Sequence, residues 1–146
     1  RGTVHDMGAA MMGGVSGHAG LFTTAKETAV LMQMLLNGGM YDGKKFLSPQ
    51  TVALFTKRYN NSTRRGLGFD MKELNPNKSK SMSDLASDQT FGHTGFTGTC
   101  VWADPKHNLI YIFLSNRTYP NSEKNLLHKF RYREKIQDLI YRSLTQ

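Results

Sequence analysis

The chain has 146 residues, 38% apolar and 21% charged, a balance that fits one packed domain and excludes a disordered segment. No apolar run approaches the length of a bilayer span, so no membrane-crossing helix is expected. The formal charge of +8 is dispersed over two patches (Lys57, Arg58, Arg64, Arg65; and Lys124, Lys129, Arg131, Arg133, Lys135, Arg142), the second diluted by Glu123, Glu134 and Asp138, and without a recognisable nucleic-acid-binding module this reads as a solvated basic face and no nucleic-acid partner.

The chain opens on Arg1-Gly2-Thr3 rather than Met, and is expected to be an internal portion of a longer polypeptide. Arg1 to Gly20 holds six glycines, three methionines and two histidines without periodicity, and reads as a loop packed under other structure. His5 and His18 are candidate ligands or catalytic groups. With no second Cys, His or carboxylate at metal spacing, neither a metal nor another cofactor is expected.

Thr24-Ala25-Lys26-Glu27 fits a capping box, and the helix it opens stops at Asn37-Gly38-Gly39. Met32 and Met34 on it are core filler. Asp42-Gly43 predicts a tight turn between two very short strands. Ser48-Pro49 starts a second helix that docks through Val52, Leu54 and Phe55. Gly66-Leu67-Gly68-Phe69 opens a strand fading at Asn75-Pro76. The polar stretch 72–89 is a long surface loop, either disordered or a lid.

Phe91–Thr99 is the densest feature, with three glycines and three threonines around His93. It reads either as a strand edge that another molecule approaches closely, or as a Gly-rich turn leading into a core strand. A hairpin follows, with strands over Gly98–Ala103 and Leu109–Leu114. The lone Cys100 within it is a buried, inert thiol. The last helix runs from Leu126 to Leu144, turning Tyr132, Ile136, Leu139, Ile140 and the aliphatic stem of Arg133 to the sheet and Lys129, Glu134 and Asp138 to water. The class is α+β, with fewer strands than a stable sheet needs.

Taken together, Gly13-Gly14-Val15-Ser16-Gly17-His18-Ala19-Gly20-Leu21-Phe22-Thr23-Thr24-Ala25, Asn37-Gly38-Gly39, Leu47-Ser48-Pro49 and Phe91–Thr99 resemble the C-terminal half of serine β-lactamase-like proteins. This is the penicillin-binding-protein superfamily, in its class C and esterase-like branch. The resemblance implies the C-terminal part of one such domain over 1–146, with 1–65 in its helical region and 66–146 supplying strands and the C-terminal helix.

His93-Thr94-Gly95 stands where that family carries Lys-Thr-Gly. By resemblance, His93 assists the nucleophile's proton movement or binds an anionic group, and Thr94 contacts substrate. Gly95 lets substrate lie along the strand, and the backbone N–H of Phe96 forms half of an oxyanion hole. His18 and Thr97 are assigned to substrate binding. Histidine for lysine exchanges a permanent cation for a group titrating near neutrality, which argues against true β-lactam turnover.

No serine in the chain is followed three positions later by lysine, so the family's nucleophile motif is absent. Tyr59-Asn60-Asn61 and Tyr119-Pro120-Asn121 match the family's Tyr-x-Asn only formally. The expectation is therefore one wall of a serine hydrolase that acts on an amide or ester. The alternative is a non-catalytic domain of the same fold that binds cell-wall ligands. Expected partners are the N-terminal part of the same polypeptide, a small or cell-wall-derived substrate, and a second copy through exposed apolar surface. The family resemblance implies the periplasm or cell envelope.

Overall fold

Local signals start most of the elements in the computed structural model, which describes residues 2–144. Helix α1 (Met7–Met11) begins where Asp6 accepts a hydrogen bond from the Ala9 N–H, giving structure to a segment whose composition predicts only loop. Helix α2 (Ala25–Leu36) carries the full capping box, Thr24 accepting from Glu27 N–H and Glu27 from Thr24 N–H. Strands β1 (Met40–Tyr41) and β2 (Lys44–Lys45) pair across Asp42-Gly43, both at positive φ as that turn demands. Ser48 caps α3 (Pro49–Phe55), of which only Val52 is buried; Leu54 and Phe55 remain exposed.

Four antiparallel strands make the main sheet in the order β3 (Asp70–Met71), β4 (Phe91–Thr94), β5 (Cys100–Asp104), β6 (Leu109–Phe113). Gly66–Phe69 is not a strand opening. It is a turn closed by Gly66 N–H to the Phe69 carbonyl at 2.9 Å, with Gly68 at positive φ. The strand proper is therefore only Asp70 and Met71.

Alternation along the strands sorts their side chains onto two faces. Phe91, Val101, Ala103 and Ile110 pack with Met71 against Met32 and Leu35 of α2 and Val52 of α3. Cys100, Trp102 and Tyr111 pack on the opposite face with Met82, Ala86 and Tyr141. Gly92 belongs to this second face, paired with Trp102, whose ring carbon Cε3 would lie 2.8 Å from a Cβ there. The glycine makes room for the chain's own indole rather than for a visiting molecule.

The C-terminal helix is two helices, α4 (Leu126–Lys129) and α5 (Tyr132–Leu144), separated at Arg131 with its φ of 53°. The break rotates the expected faces. Arg133 and Ile140 turn inward as expected, and α5 also buries Glu134, Gln137 and Tyr141, but Tyr132, Ile136 and Leu139 are exposed. Besides the apolar packing of Tyr141 and Ile140, its inward contacts include polar ones: Tyr111 OH donates to the Arg133 carbonyl at 3.0 Å, and Ser83 N–H to Gln137 Oε1 at 2.8 Å. Stretch 72–89 is consequently neither disordered nor a lid. Met82, Ser83 and Ala86 are buried under α5, and Lys72 Nζ donates to the carbonyls of Asp84 and Ala86 at 3.0 and 2.7 Å.

Candidate active-site wall

His93 shares a sheet face with Phe91 but stands two residues further along β4. Phe91 is covered; His93 is exposed. The uncovered end of this face opens into a concavity of about 910 Å³, lined by Thr28 of α2, by Val101 and Ile112 of the sheet, and by two polar groups of residues. One is His93, Thr94, Gly95, Phe96 and Thr97. The other comes from the N-terminal segment and includes His5, Asp6 and His18. The fold thus brings together every site residue the sequence nominates, from two stretches far apart in the chain.

The loop after β4 is a narrow turn. Gly95 N–H donates to the Thr99 carbonyl at 2.8 Å and Gly98 N–H to the Gly95 carbonyl at 3.0 Å. Gly98 sits at a φ of 97°, and a Cβ there would lie 2.5 Å from Ser115 Oγ and 2.7 Å from a Leu127 methyl. The Thr97 carbonyl accepts from Arg117 N–H at 2.9 Å and from Ser115 Oγ at 3.2 Å. Arg117 also donates through Nε to the Phe96 carbonyl at 2.8 Å and lies over the Phe96 ring. His5 stacks on that ring at 5.4 Å between centroids. The turn is held from both sides, yet the Phe96 N–H donates to no group among the described residues. A backbone N–H that is not spent on an internal bond is available to stabilise a negative charge developing beside it.

On the opposite rim, His18 Nε2 lies 2.9 Å from Asp6 Oδ1 and its Nδ1 lies 2.7 Å from Ser16 Oγ. A carboxylate only accepts, so Nε2 carries a proton. The Ala9 N–H and then the His18 ring hold Asp6 below the usual carboxylate range. These contacts fix the His18 ring at the rim. Neither Asp6 nor Ser16 is marked by spacing; the signal that could have found Asp6 was its place as the cap of α1.

Composition puts Arg65 in a solvated patch. The structure instead places its Nη1 2.6 Å from His93 Nε2 and its Nε 3.2 Å from Asp70 Oδ1. Cys100 is buried, and burial pushes its thiol up to about 12, as an inert thiol requires. Among the described residues, no group of three or more His, Cys, Asp or Glu is arranged to hold a metal ion. No helix among them is long and apolar enough to cross a membrane.

Comparison with known proteins agrees with this architecture. The Beta-lactamase family model matches residues 1–133. Proteins of Salmonella paratyphi B and Salmonella newport, provisionally named D-alanyl-D-alanine carboxypeptidases, are 45% identical over 119 residues, 81% of this chain and 27% of theirs. The crystal structure of a beta-lactamase from Mycobacterium bovis superposes with a TM-score of 0.68 at 22% identity, over 88% of this chain and 47% of that one. The chain therefore spans about a quarter of the curated relatives (27%) and about half of the solved structure (47%). Fold, motif order and family model converge: the chain belongs to the beta-lactamase family, a family of serine hydrolases.

Proposed function

We propose that this chain forms the His-Thr-Gly wall of a serine acyl-transfer site whose nucleophile and base lie elsewhere in a longer polypeptide. The observation that carries the reading is the Phe96 N–H, which donates to no group among the described residues and belongs to the turn that lines the concavity with His93 and Thr94. In the complete site, that N–H would face the carbonyl oxygen of an acyl-serine intermediate, and His18 and Thr97 would contact the substrate. The substrate is an amide or ester. The names of the Salmonella relatives favour a peptide ending in D-alanyl-D-alanine, and with it a periplasmic or cell-envelope location.

The rest of the fold would cover the surface this chain leaves open. Among the described residues β6 has a neighbour only on its β5 side, and Leu126, Phe130, Tyr132, Ile136 and Leu139 of α4 and α5 and the bend between them are exposed. A second copy of the chain is the other occupant this surface admits.

Fluorophosphonate labelling of the chain and of its longer parent, read by intact mass, tests the proposal. Label on the parent alone supports it. Label on the chain itself overturns the assignment of the nucleophile to another segment. Absence of label from both favours a binding domain of the same fold.

A further inference from the structure

The geometry points to Arg65 as the positioning residue that sets the state of His93. The inference rests on reading His93-Thr94-Gly95 as an active-site wall, but its test does not.

A guanidinium only donates, so His93 Nε2, 2.6 Å from Arg65 Nη1, must be the acceptor and carries no proton. The Thr94 carbonyl only accepts, so His93 Nδ1, 2.6 Å away, must be the donor. Only the neutral Nδ1–H tautomer satisfies both contacts. An imidazolium would set one N–H against another across the Arg65 contact, and the Nε2–H tautomer would break both bonds.

Arg65 is itself held. Its Nε lies 3.2 Å from Asp70 Oδ1, an oxygen that also takes Arg64 Nε at 2.9 Å, and the Asp70 side chain is only 1% exposed. Arg65 and Asp70 pair as a backbone bridge, and Met71 N–H donates to the Arg64 carbonyl at 2.9 Å. The guanidinium therefore approaches His93 from a braced backbone. The other charged or titratable groups nearby are Arg64, which reaches the ring only through Asp70, Arg117 on Phe96, and His5, Asp6, His18 and Tyr119 around the concavity. Cys100 lies on the opposite sheet face.

The family's Lys-Thr-Gly lysine brings a permanent cation to this position. Here the cation has moved to Arg65, half exposed and with Nη2 unbonded among the described residues, while His93 is left as a neutral ring. In the site, the Nε2 lone pair of His93 is already occupied by Arg65.

The test is the imidazole tautomer in the uniformly 15N-labelled full chain, read from long-range 1H–15N correlations at neutral to mildly alkaline pH. The wild type and R64A, which loses the Asp70 contact but not the His93 contact, are expected to show the Nδ1–H pattern. R65A is expected to move His93 to the Nε2–H pattern favoured by unconstrained histidine. An Nε2–H or doubly protonated ring in the wild type overturns the proposal without any variant, so misfolding of R65A cannot shelter it. An unchanged tautomer in folded R65A also overturns it. Failure of the longer parent to take a fluorophosphonate label would remove the active-site reading and leave the tautomer result standing.

Discussion

Tyr141 in α5 donates its hydroxyl to Asp104 Oδ2 across 2.7 Å, fastening the last helix to the end of β5 through a carboxylate that is 1% exposed. The same carboxylate accepts from Ser87 N–H at 2.8 Å, Ser87 Oγ at 2.6 Å and Lys106 N–H at 3.0 Å, and pairs with His107 Nδ1 at 2.9 Å. One side chain thus joins the helix, stretch 72–89 and the hairpin turn. Burial pushes Asp104 towards protonation, but the bonds from Ser87, Tyr141 and His107 outweigh it and hold the group well below the ordinary carboxylate range.

The sign of the pH dependence follows. A carboxylate whose folded pKa is depressed contributes stability in full above its unfolded value of about 3.9 and loses it as pH falls below that point. D104N should therefore destabilise the chain by roughly 3 kcal/mol at neutral pH, with a smaller difference from wild type in acid. Urea unfolding at neutral pH and near pH 3 checks this; an equal loss at both would show that the charge is not what stabilises.

The glycines of β4 and its turn make a separate, steric prediction. An alanine Cβ at Gly92 would run into the Val101 carbonyl oxygen and the Trp102 ring, neither of which can swing aside. G92A should cost more than about 2 kcal/mol and perturb the Trp102 fluorescence. G98A adds the strain of a φ of 97° to its contacts with Ser115 and Leu127, and about 1–2 kcal/mol is expected. Thermal unfolding of the two variants decides; wild-type stability in G92A would mean that Trp102 packs elsewhere.

What was legible in the sequence was what short-range chemistry specifies. Thr24 with Glu27, Ser48 with Pro49, and Asp42 with Gly43 each announce their own element, and each is found. The hairpin through Asp104–Asn108 is equally local. What was hidden depends on partners distant in the chain. Glu134 reads as a solvent-facing residue until the break at Arg131 turns it inward. Arg65 and His93 are 28 positions apart, and no periodicity links them. The wall's motif could be named from Phe91–Thr99, but the residue that sets its histidine could not.

Cys100 offers a chemical check on the core. With its thiol buried and pushed up to about 12, it is protonated at any ordinary pH. An aromatic disulfide reagent at pH 8 should leave the native chain unmodified and titrate one thiol after denaturation. Rapid modification of the native chain would mean that β5 and α5 part readily.

Arg133 links the last helix to the proposed oxyanion donor. Its Nη1 donates to the carbonyls of Gly98 and Thr99, each at 3.3 Å, and these residues close the turn that presents the Phe96 N–H. R133M removes the donor while keeping much of the side-chain bulk. The expected loss is about 1–3 kcal/mol of stability, since two buried carbonyls lose a charged partner. If the turn's shape matters for chemistry, the longer parent carrying R133M should also acylate more slowly, by about tenfold or more. A loss of stability alone could mimic that, so T24A is the matched control: it removes the cap of α2 at a cost of about 1 kcal/mol without touching the turn. Slower fluorophosphonate labelling in R133M but not in T24A assigns the effect to the turn. Equal rates in both would restrict Arg133 to holding the helix in place.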